Sequence, residues 1–297
     1  MSNITPAGEI WRKNDAGFPA PDWEAIAERL EGSFAEGERD AAWSEVARHW
    51  LGSLAERLGA NYFLRESANF LLVSEAGAAK TAAVLEFLER CLRKIRLSLP
   101  FAVPAAKREG KFAVIIFADV DLFYLYLSGF GEDGEYATVG GVYLNEGYGH
   151  FAMPSADLNE YSAVLSHELT HALLAPLALP AWLDEAITGT IEHDITGQSP
   201  YALDREIIER HQDYWTPERL AKFWSGESFW SPDEGQELSY HLARFVLNAL
   251  YRGGETPAAE LTEFVQRASR DDAGHAAARE VLGVELDDVV RDLVDRG

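Results

Sequence analysis

The chain has 297 residues, 47% of them hydrophobic and 25% charged, which is ordinary for a globular protein with room for one large domain or two. Its formal net charge is -23, so its field repels phosphate backbones and argues against a nucleic-acid partner. No apolar run reaches the roughly 18 residues of a membrane span, the N-terminus lacks the pattern of a secretory signal, and the single cysteine, Cys91, excludes an intrachain disulfide. These features point to a cytoplasmic protein with no membrane partner.

In chain order, residues 1–60 read as a helical extension. Trp43, Val46, Trp50, Leu54 and Leu58 recur there at helical spacing. Residues 61–176 form an expected α/β lobe. Short strands are predicted over 61–67 and 69–76, a long amphipathic helix over 77–99, and a buried strand over 112–119. A helix over 120–131 and a hairpin or edge strand over 138–147 and 150–154 follow, with Gly140-Gly141 weakening the first strand of that pair. From 157 onward the pattern is helical: 157–175, 181–194, 203–212, 216–224, 235–252, 257–269, 273–283 and 286–295. Residues 177–297 are therefore the expected helical C-terminal lobe, and the whole is read as an α+β protein with a cleft between two lobes.

One stretch carries chemistry: 165-LSHELTHALLAPLALPAWLDEAI-187. His167 and His171 lie four residues apart, so in a helix both imidazoles leave the same face and can converge on one cation. Glu168 is rotated away from that pair yet stays within reach of water at the metal, as a general base requires. Catalytic zinc takes a third protein ligand and leaves the fourth position open. The chain breaks at Pro176 and Pro180 and restarts as a helix, so Asp184 or Glu185 can supply that ligand. Peptide hydrolysis also needs a donor for its oxyanion, and Tyr240 and His241 are the candidates. They stand about 100° apart on one helix, so a single one faces the metal. His150 and His193 read as surface or packing histidines.

HELTH, the proline-containing turn and LPAWLDEA resemble the gluzincin clan of zinc metallopeptidases, most closely its bacterial peptidase MA-like group, in which HExxH is followed by P-x-W-x-x-E-G. The resemblance covers about residues 60–295 and is most specific in the motif and the tryptophan–glutamate pair. It implies a zincin-like, two-lobed fold with a small mixed sheet, an active-site helix and a helical C-terminal lobe. It also implies Zn²⁺ as cofactor, with His167, His171 and Glu185 as ligands, Glu168 as general base and Tyr240 as oxyanion donor. The sequence departs from the pattern at Ala186, where the family has glycine, and at Gly189, where thermolysin-like members carry an aspartate that orients a ligand histidine. Thr188, Glu192 or an upstream residue would take that role.

The expected function is zinc-dependent peptide-bond hydrolysis on a peptide or protein substrate. That substrate would lie along the edge strand near 139–147, where Asn145 and Glu146 could meet it. The rival expectation is a zinc-holding protein of the same fold that binds a partner and cuts nothing.

Overall fold

The computed structural model describes residues 11–99, 109–130, 140–156, 158–197, 205–251 and 255–295. The chain divides into two compact units, Met1–Ile95 with Lys107–Ala172, and Arg96–Ala106 with Leu173–Gly297.

The first unit is built on a five-stranded mixed sheet. Its strands are β3 (Phe63–Glu66), β4 (Phe70–Ser74), β5 (Phe112–Phe117), β6 (Val142–Leu144) and β7 (His150–Pro154), in the order β3-β4-β5-β7-β6. β4, β5 and β7 run parallel, and β3 and β6 close the edges antiparallel. The two central parallel strands, FLLVS and FAVIIF, are buried at every position. Parallel strands are covered on both faces, so they read as continuous apolar runs rather than alternating ones. A parallel step from β4 to β5 needs a crossover, and α3 (Ala78–Ser98) supplies it. Its Val84, Leu88, Cys91, Leu92 and Ile95 are buried at helical spacing.

Residues 11–58 are part of this unit's core. Trp50, Leu51 and Leu54 of α2 (Glu36–Leu58) pack in one cluster with Leu71, Val73, Ala113 and Ile115 of the sheet. α1 (Trp23–Ser33) starts at Asp22, whose side chain accepts from the Ala25 N–H. Ahead of it the segment expected to be helical instead forms a two-stranded ribbon, β1 (Trp11–Lys13) with β2 (Pro19–Pro21). Proline removes a ladder donor and argues against a strand, but in a two-stranded ribbon each strand has an unpaired edge where the missing N–H costs nothing. The turn is closed by Asn14, whose Oδ1 accepts from the Phe18 N–H at 2.8 Å. α4 (Val120–Leu127) follows β5, and its Asp119 cap accepts from the Asp121 N–H. Of the strand predicted over 138–147, residues 138–139 lie outside the described residues, and β6 begins at Val142, after the glycine pair.

The helix α5 (Leu158–Leu174) carries the motif and gives way to a 3-10 turn, Ala175–Leu177. The second unit continues with α6 (Ala181–Thr196), α7 (Arg205–Tyr214), α8 (Pro217–Ser225), α9 (Gly235–Tyr251), α10 (Ala258–Arg267), α11 (His275–Ala277) and α12 (Leu286–Asp295). The single helix expected over 273–283 is instead α11 widening into a π turn, Ala278–Leu282, stopped by Gly283 at φ +66°. α9 packs along α6. The arrangement is mixed α+β with a helical C-terminal region. Among the described residues no helix is long and apolar enough to cross a membrane.

Candidate metal centre

α5 is amphipathic in the way a buried site helix requires. Leu165, Leu169 and Leu173 repeat every four residues and are at most 3% exposed, each contributing about 1.5–3 kcal/mol of burial. The two buried hydroxyls of the helix are satisfied inside it: Ser166 donates to the Ser162 carbonyl and Thr170 to the Ser166 carbonyl, both at 2.7 Å. That leaves His167, Glu168 and His171 half-buried on other faces.

His167 and His171 present their Nε2 atoms to each other at 3.0 Å, with the rings edge to face. Two imidazole lone pairs at that distance repel unless a proton or a cation lies between them. Zinc held by both nitrogens would remove that repulsion. Glu185 completes a set: one ligand atom from each of His167, His171 and Glu185 lies within 4.8 Å of the others, and all three residues are half-buried. Asp184, the other acid weighed for this role, is absent from the set; its N–H is bonded to the Pro180 carbonyl.

The start of α6 explains how Glu185 is held. Pro180 caps it, and its carbonyl accepts from the N–H groups of Leu183 and Asp184. Trp182 is wholly buried. Its indole N–H donates to the Ala273 carbonyl at 2.9 Å, and its ring meets Trp224 edge-on. One turn after this anchor comes Glu185, so the tryptophan of LPAWLDEA is a fixing point for the carboxylate. Ala186 is fully buried. At Gly189 an added Cβ would meet the Arg244 Cδ at an ordinary 3.9 Å, so an arginine stem crosses this glycine. Thr188 is fully buried and Glu192 half-buried on the same helix.

Glu168 has a partner that no side-chain pattern announces. Its Oε2 accepts from the backbone N–H of Tyr143, in the edge strand β6, at 2.8 Å. The same helix presses on that strand at Gly141, where a Cβ would stand 2.5 Å from the Val164 Cγ1. Glycine is therefore needed for the approach that brings Glu168 to Tyr143.

Tyr240 is half-buried in α9, edge-on to Phe229 with centroids 5.3 Å apart. His241, its neighbour, is 3% exposed and faces the rings of His211 and Phe245. His150 is a packing residue with a defined hydrogen-bond role. Its Nδ1–H donates to the Tyr148 carbonyl at 3.0 Å, and its Nε2 takes the Tyr126 hydroxyl at 2.7 Å. His193 sits half-buried near the end of α6. Asn145 and Glu146 are exposed on the turn after β6. Searched as a whole, the chain matches no family model, no curated protein and no solved structure.

Proposed function

We propose that the chain is a zinc-dependent peptidase of the gluzincin type. The observation that carries this reading is the gathering of His167, His171 and Glu185 around one point, with Glu168 next in the chain to the first histidine. Two imidazoles and a carboxylate are the donor set of hydrolytic zinc, and three protein ligands leave a position for solvent. Zinc bound there supplies Lewis acidity, acidifying water and polarising a peptide carbonyl.

The remaining work falls to the chain's own side chains. Glu168 takes the proton of the attacking water on its carboxylate and delivers it to the departing amine. The Tyr143 N–H on one carboxylate oxygen helps to fix its orientation. An extended peptide added to the edge strand β6 would lie beside Glu168, because that strand already touches it. Tyr240 is the proposed donor to the oxyanion, on the helix that packs along α6.

The test is cleavage of a broad peptide library by the purified chain loaded with zinc, with and without a chelator, beside Glu168→Gln. Chelator-sensitive cleavage that disappears in Glu168→Gln while the bound zinc is unchanged supports the reading. One zinc per chain with no cleavage would assign the partner-binding alternative, and no bound zinc would remove both.

A further inference from the structure

The ribbon β1–β2 closes a small cavity in the first unit, built by residues outside α5. Its volume is about 230 Å³, below the roughly 300–1,000 Å³ of drug-sized sites, so it suits a small solute. The walls are aromatic: Phe18, Trp23, Trp50, Tyr126 and Phe130. Phe18, Trp50 and Tyr126 are at most 2% exposed, while Trp23 and Phe130 are half-buried. The rings meet at steep angles, Trp23 on Trp50 at 89° and Phe18 on Tyr126 at 77°, both with centroids 5.3 Å apart. Rings set this way turn π faces in several directions, and each face carries negative potential.

Several polar groups of the walls are engaged. Tyr126 gives its proton to His150, and the Trp50 indole N–H donates to the Pro19 carbonyl at 3.3 Å. Burial raises the Tyr126 pKa, so the phenol stays neutral. Among the described residues Glu146 is the one charged side chain lining the cavity, and it is exposed. Its loop is pressed onto the wall: Gly147 has φ +60°, and a Cβ there would fall 1.9 Å from the Trp23 Cδ1. The Arg57 guanidinium lies 5.1 Å from the Phe18 ring centroid and donates to the carbonyls of Ala16 and Gly17.

Negative ring faces and one carboxylate, with no cation among the described lining residues, select a positive ligand. A mostly aromatic wall offers few acceptors to replace the water shell of a strongly hydrated ammonium, so the ligand should be weakly hydrated. We propose that this cavity binds a small quaternary ammonium solute, its methyl groups against Trp23, Trp50 and Phe130 and its charge facing Glu146.

Calorimetric titration of the full chain with choline chloride tests this, with 3,3-dimethylbutan-1-ol as the uncharged compound of the same shape. Choline should bind about ten-fold more tightly than the alcohol. Glu146→Gln, at an exposed position, should remove about three-fold or more of that preference and leave the alcohol unaffected. A chelator should change nothing, since none of these residues belongs to the metal set. Equal binding of choline and the alcohol, no choline heat in the tens of millimolar, or an unchanged preference in Glu146→Gln would overturn the proposal. Tighter binding of a trimethyl-lysine peptide than of choline would overturn the assignment to a free solute.

Discussion

Two histidine pairs in this protein illustrate how surroundings decide what an imidazole does. His167 and His171 share one helix, are half-buried, and bring their Nε2 atoms to 3.0 Å beside the Glu185 carboxylate. His211 of α7 and His241 of α9 come from different helices, are 4% and 3% exposed, and lie 5.7 Å apart between centroids, tilted by 32°, among Trp215 and Phe245. In the second pair, His211 Nδ1 accepts from the Trp215 indole N–H at 2.8 Å. Indole is a donor only, so a proton on that nitrogen would set N–H against N–H. Burial first, then the neighbouring His241 and Arg210, lowers the His211 pKa to about 4, with Glu237 opposing. The same residue type thus forms a half-buried pair suited to the proposed metal where a carboxylate adjoins it, and a packing pair where aromatic rings do.

The sharpest break would come from removing one member of each pair. His171→Ala should drop bound zinc from one per chain to near zero and abolish cleavage, while His241→Phe should keep the metal, as read by elemental analysis of the folded variants. If His241→Phe lost zinc with its circular dichroism intact, the division of roles would fail. Glu168→Gln comes next: kcat should fall about 10²–10⁴-fold with zinc retained. Tyr240→Phe should lower kcat by about 10²–10³-fold with little change in KM, and a wild-type kcat would assign the oxyanion to another donor.

The smallest effect concerns the packing pair. A folded-state pKa of about 4 against an ordinary 6.5 means that the unfolded chain binds a proton there first as the pH falls. The stabilisation is present above about pH 6.5 and is lost on the way down to pH 4. Unfolding free energy should therefore drop by about 2 kcal/mol between pH 7 and pH 5 from this residue. Urea titrations at the two pH values check it. His211→Phe should flatten that part of the slope, whereas an unchanged slope would show that other groups set the acid sensitivity.

What the sequence determined by itself was local. One helical repeat places His167, Glu168 and His171 on adjacent faces whatever the rest of the chain does, and continuous apolar runs such as FAVIIF are enough to mark buried parallel strands. The ribbon over 11–21 was not legible within the expected helical extension, because only pairing shows that Trp11–Lys13 and Pro19–Pro21 meet. Tertiary structure alone decided three matters. It brought a ligand atom of Glu185, the acid the resemblance favours, within 4.8 Å of those of both histidines, on a helix whose start is anchored by Trp182. It gave Glu168 the Tyr143 N–H, a backbone donor that no side-chain pattern encodes. It also drew Phe18, Trp50, Phe130 and Glu146 into one cavity wall, across separations in the chain that no periodicity spans. The physical reason is common to all three: helix and strand periods fix directions over a few residues, whereas convergence of distant atoms is set by packing.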